Sequence, residues 1–464
     1  MSNLADLDLV VTDGRVVDPA TGVDEIVDVG IRHGYIEAVE PSGQLIRARR
    51  HLSVEGLVVV PGLIDPHVHL SIPFGKTYGI AMVARAGVTA CLELAGDGPD
   101  LARGLRERGC GIHIGYLLPL IPGRNLSNSN PSHIELEHEI ERALKQGALG
   151  VKLLGGHYPL VPEAIRVTVD LTRERGCYLA IHCGSTETGS DIRGLEEAIE
   201  LIGDNPVQIA HVNSYCRGQL LNDPIKEARR ALRALAGKGI ASESYLSRWN
   251  GTSGHCSDGV PVSHVTRTCL RLGGHPETRE GLERAIEMGY AQVNIEGLAG
   301  TELVAGTVGI EHYRQAGGEL VVSFPVNPPE VTSLLATARH EGDFIVSALA
   351  TDGGSIPRNS TVQQGLALVR YGALSLSEFV EKASTAPARM LHLADRGTLR
   401  PGSVADLTIL DLERGSIAYT VASGNMVYAE GALTGSGGSF LTTDAGISFA
   451  QEQGIKGEVV RHIT

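Results

Sequence analysis

Leu63-Ile64-Asp65-Pro66-His67-Val68-His69-Leu70 decides how this chain is read, because two histidines one residue apart end an apolar run. In an extended strand residues i and i+2 share a face, so both imidazoles can reach one metal ion. Taken alone, the pair fits two ordinary polar residues at a strand end equally well. Its meaning depends on what the rest of the chain brings beside it.

Outward from this stretch the middle of the chain keeps one rhythm. Strand-length apolar runs at 62–65, 88–94, 112–118, 149–154, 178–182, 207–211, 240–244 and 344–352 are separated by amphipathic segments. The first six of these segments predict helices near 77–87, 99–109, 133–147, 162–175, 194–203 and 224–237. Near-continuous apolar strands require a parallel sheet covered on both faces, and eight strand–helix units predict a closed (β/α)8 TIM barrel of the α/β class. The alternative is an open doubly wound sheet. A nucleotide-binding sheet of that kind carries a glycine-rich phosphate turn after its first strand, and none is present.

The two ends read differently. Val27, Val29 and Ile31 alternate with Asp28, Gly30 and Arg32, and 405–409 alternates in the same way before the turn Ser423-Gly424-Asn425. Such half-buried strands need a cover, so a small β-sandwich domain built from 1–60 and 396–464 is expected around a barrel spanning 61–395. Between 246 and 340 the rhythm is lost; this stretch holds the single Trp249, a Gly/Ser/His/Cys-rich segment at 251–259 and a helix near 279–288. An insertion after strand seven lies at the face where barrel enzymes keep their sites, as a pocket wall or lid. Packing at a subunit interface is the other reading.

Composition narrows the function. A net charge of −14 without a Lys/Arg cluster argues against a nucleic-acid partner. Cys91, Cys110, Cys177, Cys183, Cys216, Cys256 and Cys269 are odd in number and lack C-x-x-C spacing, as expected of reduced thiols in a cytoplasmic protein. The segment Met1–Asp8 has acids where a signal peptide needs a basic region, and no apolar run approaches the about 18 residues of a membrane span. A small-molecule substrate and a homo-oligomer are expected, with no membrane partner.

Six polar residues interrupt or end the apolar runs: His67 and His69 on strand one, Lys152 in strand four, His182 on strand five, His211 on strand six and Asp352 on strand eight. In a barrel these strand ends converge on one mouth. Four imidazoles and a carboxylate suit zinc and related divalent ions. An ammonium in a buried strand would repel a metal. Lys152 fits if its neutral amine takes up carbon dioxide, since the carbamate is an anionic ligand able to bridge two ions.

At this point the chain resembles the amidohydrolase superfamily, within it the dihydroorotase, hydantoinase and isoaspartyl dipeptidase group. The resemblance rests on Pro61-Gly62-Leu63-Ile64-Asp65-Pro66-His67-Val68-His69, Gly147-Ala148-Leu149-Gly150-Val151-Lys152, the two later strand-end histidines and Ala350-Thr351-Asp352. It extends to Ala386-Pro387-Ala388-Arg389-Met390-Leu391 and Gly402-Ser403-Val404-Ala405-Asp406-Leu407, and so covers nearly the whole chain. It implies two divalent ions of the zinc type: His67, His69 and Asp352 hold one, His182 and His211 the other, and carboxylated Lys152 bridges them. It further implies that Asp352 moves the proton and that Asp65 supports a ligand without being one. Tyr158 is either the oxyanion donor or a loop tyrosine packed beside Pro159. Arg358 is either a clamp for a substrate carboxylate or a surface residue.

The function expected is hydrolysis of a non-peptide C–N bond in a cyclic amide or imide. The length of 246–340 is closer to D-aminoacylases, which makes an N-acyl amino-acid deacylase the alternative. Those enzymes use a metal-binding cysteine, but the neighbours of Cys91 do not match its context, and Cys91 reads as a buried structural thiol. A non-catalytic barrel used for assembly or binding is a third reading, against which the intact set of six speaks.

Overall fold

Runs of valine, leucine and isoleucine buried on both faces form the parallel strands Leu63–His69, Val88–Glu93, Cys110–Leu120, Gly150–Leu154, Tyr178–His182 and Gln208–Ile209, hydrogen-bonded in that order. This is a computed structural model, and it describes residues 7–45, 47–70, 78–297 and 300–461. The N-terminal reading at residues 1–6 and the first residue, 77, of the first expected helix lie outside them. The wall continues through a bridge from Ile209 to Ser242 into Glu243–Tyr245, which pairs in parallel with Ala348–Ala350. It closes where Gly353 pairs with Val68 and the Asp352 amide donates to the His67 carbonyl at 2.9 Å. Among the described residues, eight strands thus complete the expected (β/α)8 barrel.

Four of the helices between the strands begin at side-chain caps. Asp97, Ser132, Asp191 and Asp223 each accept a bond from a backbone N–H in the first turn of Gly98–Arg108, His133–Lys145, Ile192–Ile202 and Pro224–Leu235. Each cap also fixes how the chain leaves the preceding loop, and with it the loop's place at the barrel mouth.

Both termini build one sheet, as expected. Val58–Pro61 pairs in parallel with Arg15–Asp18 and antiparallel with Leu407–Asp411, which joins the N-terminal and C-terminal strands. Val11, Val29, Ile31, Val59, Leu407, Ile409 and Val421 share its core.

Four details differ from the sequence expectation. Strand six is only Gln208–Ile209, because His211 adopts φ 35° and leaves the ladder. Strand eight begins at Ala348, since Asp343–Phe344 pairs with Arg339–His340, where the Arg339 guanidinium lies 4.4 Å from the Phe344 ring. At the C-terminus, Gly437–Thr442 pairs in parallel with Cys110–Leu120 and with Lys456–Val459, so this segment extends the barrel sheet rather than the terminal one. Buried Phe440 draws it there, packing 5.8 Å from Tyr116 and 6.0 Å from Phe449. Finally, the stretch between the last two barrel strands is a folded unit. Asn250–Ser253, Val321–Phe324, Gln292–Gly297 and Gly300–Val304 form an antiparallel sheet, in that order. Helices His264–Leu272, Arg279–Glu287 and Gly306–Gln315 cover it over a core that includes Cys269, Leu282, Ile286, Tyr313, Val322 and Phe324.

No helix among the described residues is long and apolar enough to cross a membrane.

Candidate active site

The strand ends bring all six predicted ligands to one cavity of about 680 Å3, within the range of small-molecule sites. His67, His69, Lys152, His182, His211 and Asp352 all line it. Register does the positioning: Leu154 lies opposite His182, and Gly354 lies opposite His69. His211 at φ 35° and Asp352 at φ 47° occupy the left-handed region, which His and Asp tolerate better than most residues. That strain turns both side chains off the wall at the point where the site needs them. Gly156 completes the approach, since a Cβ there would stand 2.2 Å from the His182 Nε2.

The ligand atoms of His67, His69 and Asp352 lie within 4.8 Å of one another. The Nε2 atoms of His67 and His69 stand 3.2 and 3.0 Å from the same Asp352 oxygen. Their Nδ1 atoms are held from behind by Glu243 at 2.6 Å and Glu93 at 3.3 Å. A carboxylate behind each Nδ1 fixes the ring and leaves Nε2 for an ion. The His182 and His211 ring centres are 4.4 Å apart, and His211 is 5.1 Å from His67. His182 Nε2 is bonded to the Ser190 hydroxyl at 2.7 Å, whereas His211 Nδ1 is buried without a hydrogen-bond partner.

Electrostatics favour a ligand set. Burial, above all, holds His67, His182 and His211 well below the usual imidazole pKa, so their lone pairs are free. Burial also opposes charge on His69, but bonds to Asp352 and Glu93 outweigh it and raise the group to about 9; an ion would displace that proton. Asp352 stays ionised well below the carboxylate range, because Arg358 and the neighbouring imidazoles outweigh its burial. Lys152 is 1% exposed, and its Nζ has no hydrogen-bond partner. Burial lowers its pKa, which increases the share of neutral amine.

The other expectations fall out unevenly. Asp65 takes the supporting position: it accepts from the Thr351 hydroxyl at 2.6 Å and from the His67 amide at 3.2 Å, tying strand one to strand eight. Cys91 is fully buried, and burial pushes its thiol pKa far up, as befits a packing residue. Tyr158 lines the cavity and is 46% exposed, so it is not confined to packing on Pro159. Arg358 requires a correction. It lines the cavity, but its guanidinium pairs with Asp352 at 2.7 Å, donates from Nε to the Asp352 carbonyl and from Nη1 to the Trp249 carbonyl at 3.2 Å, and lies 4.7 Å from the Tyr245 ring centre. A fork so engaged holds Asp352 and is not free to clamp a substrate.

Sequence reasoning passed over Glu93, Glu243, His157 and Arg217. Both glutamates are charged residues inside buried strands, the same signal that singled out Lys152. His157, whose ring centre is 5.5 Å from that of His182, follows the close-packed glycines after strand four.

The model of the Amidohydrolase family matches residues 58–427. The chain belongs to the amidohydrolase family. Its relatives include a dihydroorotase of Geobacter metallireducens, 24% identical over 479 residues, with 91% of this chain and all of that protein covered. A dihydroorotase of Syntrophotalea carbinolica is 28% identical over 436 residues, covering 87% of this chain and 89% of that protein. Among solved structures, an N-acyl-D-glutamate deacylase of Bordetella bronchiseptica in complex with zinc aligns at TM-score 0.67 and 16% identity, covering 94% of this chain and 99% of its own. A D-hydantoinase aligns at TM-score 0.60 and 17% identity, covering 94% and 98%. The chain is therefore a metal-dependent hydrolase of the amidohydrolase type.

Proposed function

We propose that this amidohydrolase opens a cyclic amide or imide by adding water across its C–N bond, using two divalent ions of the zinc type. The observation that carries the reading is the convergence of four imidazoles and an ionised carboxylate around a buried lysine amine without a partner. His67, His69 and Asp352 would hold one ion and His182 and His211 the other. Lys152 would bridge them as a carbamate, formed when its neutral amine adds to carbon dioxide and releases a proton. The dihydroorotase relatives and the D-hydantoinase neighbour support a cyclic substrate. Seven free, buried cysteines support a reducing, cytoplasmic setting, and a homo-oligomer belongs to the same reading.

Ions bound at this site would supply Lewis acidity, polarising the scissile carbonyl and making water easier to deprotonate. The protein's own residues supply the rest. Glu243 and Glu93 orient the imidazoles of His67 and His69. Arg358 fixes Asp352 through Oδ2, and the Asp352 carboxylate accepts a proton from the attacking water and returns it to the leaving nitrogen. Tyr158, on the cavity wall, donates to the developing oxyanion.

A second reading, N-acyl amino-acid deacylation, is favoured by the folded insertion, whose residues Asn250–Ser253 and Val321 line the cavity. A hydrolysis screen of cyclic ureides, imides and lactams against N-acyl D- and L-amino acids separates the two, run with zinc or manganese and bicarbonate. Turnover of the cyclic substrates is expected. Turnover of N-acyl amino acids alone would replace the first reading with the second.

A further inference from the structure

The protein has a second large cavity at the opposite end of the barrel. Its volume is about 730 Å3, slightly more than that of the active-site cavity, and the two share no lining residue. It lies where the barrel base meets the terminal sheet. Tyr35 borders it from the turn after Val23–Arg32, Arg49 and Arg50 from the segment before the edge strand His51–Ser53, and Lys456 from the last strand, Lys456–Val459. Buried Arg396 completes the charged part of the wall. The chemistry proposed for the mouth makes no use of this cavity.

Charge singles it out. The chain carries 54 Asp and Glu against 40 Lys and Arg, but the lining reverses that balance, with Arg49, Arg50, Arg396 and Lys456 against Asp8, Asp395 and Glu458. All three acids are engaged. Asp8 lies 3.6 Å from Arg49 and accepts from the His33 amide at 2.7 Å, while Asp395 and Glu458 stand 2.9 and 2.6 Å from Arg396. Arg50 and Lys456 remain: neither forms an ion pair among the described residues, and the bond from Arg50 to the Gly424 carbonyl is long, at 3.5 Å. Both are exposed, so water meets their charge; what marks them is that they line one concave surface whose other charges are balanced. Cations gathered in a concavity raise the local potential for an anion. Tyr35, 51% exposed in the same lining, adds the flat face of a ring.

We propose that this cavity binds a phosphate monoester carrying a flat ring, with the phosphate on Arg50 and Lys456 and the ring against Tyr35. Two uncompensated cations suit a group of charge about −1.5 to −2 at pH 7, which a single carboxylate does not reach. The volume exceeds what a bare phosphate fills and leaves room for the organic part. Arg50 leads into a strand of the terminal sheet, whereas Lys456 stands on the strand that extends the barrel sheet through Gly437–Thr442. A ligand held by both ties the two layers together and so stabilises the fold, independently of the reaction at the mouth.

Calorimetry of the metal-loaded enzyme with phenyl phosphate, inorganic phosphate and benzoate, at constant ionic strength, tests the proposal. Saturable binding of phenyl phosphate is expected, tighter than that of inorganic phosphate or benzoate, with a rise in thermal midpoint. Arg50→Gln combined with Lys456→Gln should weaken phenyl phosphate at least about tenfold, since hydrogen bonds to charged groups are worth that much. Tyr35→Ala should weaken phenyl phosphate and leave inorganic phosphate as it was. All three side chains are exposed, so the variants should melt as the wild type does without ligand and keep its turnover. Lack of saturable binding, or equal affinity for phenyl phosphate and inorganic phosphate, overturns the proposal. So does an affinity unchanged in the Arg50 and Lys456 double variant, which would place the phosphate elsewhere, such as on the ions at the mouth.

Discussion

The barrel buries charged residues at both ends, and the two clusters treat charge differently. At the base, Arg396 lies 3.3 Å from Asp406, 2.6 Å from Glu458 and 2.9 Å from Asp395, while His113 contacts Asp406 at 3.3 Å. Every charge there has an opposite charge beside it, and the cluster joins the third barrel strand to the terminal sheet. At the mouth, Lys152 and Arg217 are buried with no ion pair among the described residues. A second buried lysine makes the contrast sharper. Lys382 donates to the Val346 carbonyl at 2.5 Å and lies 4.2 Å from the Phe344 ring centre, so its amine has partners in the fold. The paired cluster at the base joins structural elements, and Lys382 is held by a carbonyl and a ring, whereas the Lys152 Nζ at the mouth has no hydrogen-bond partner.

Substitutions at the two ends should separate these roles. At the mouth, Asp352→Asn removes the proton carrier, and kcat is expected to fall by about 10²–10⁴ with the fold retained; a steady-state assay with a thermal melt checks both. Unchanged turnover would remove Asp352 from the chemistry. At the base, Asp406→Asn should cost roughly 1–3 kcal/mol in denaturant unfolding, because His113 and the Arg396 Nε lose their buried carboxylate while Glu458 and Asp395 still pair with Arg396, yet leave kcat/KM as it was. Burial pushes Asp406 up, but His113 and Arg396 outweigh it and lower its pKa in the folded state. Its contribution is therefore present above the unfolded carboxylate pKa and lost as pH falls through the lowered folded value. The acid limb of the stability curve should accordingly flatten in Asp406→Asn. A loss of activity without a loss of stability would break the distinction between base and mouth. The smallest effect is expected for Glu243→Gln, which weakens the support behind His67 and should reduce metal affinity about 10–100-fold. Competition with a chelator measures it, and wild-type affinity would show that Glu243 serves packing alone.

How far the sequence carries the account follows from the same physics. Strands one to five were legible because long apolar runs buried on both faces leave little else for them to be. Strand six was not, since two ladder residues and a left-handed His211 give almost no periodic signal. Phe344 was drawn into strand eight because its hydrophobicity fits a strand, whereas its ring is occupied by Arg339 and Lys382. The insertion's strands escaped notice because segments such as Asn250–Ser253 are polar and short, and their core forms only against helices far along the chain. At the site, the six ligand candidates stood out as polar breaks in apolar runs. Glu93 and Glu243 carried the same mark. Arg217 carried none, because its lack of a partner exists only once Asn250, Asn327 and Tyr245 are folded around it.

The central claim is that the imidazoles and carboxylate at the mouth are there to receive metal, with the neutral Lys152 amine, once carboxylated, as the bridge. Elemental analysis of purified wild-type and Lys152→Ala protein, paired with their turnover, tests it most directly. The account predicts close to two divalent ions per wild-type chain, fewer in Lys152→Ala with activity lost, and partial recovery when short carboxylic acids are added. An active protein free of metal, or a Lys152→Ala enzyme with wild-type turnover, would contradict it.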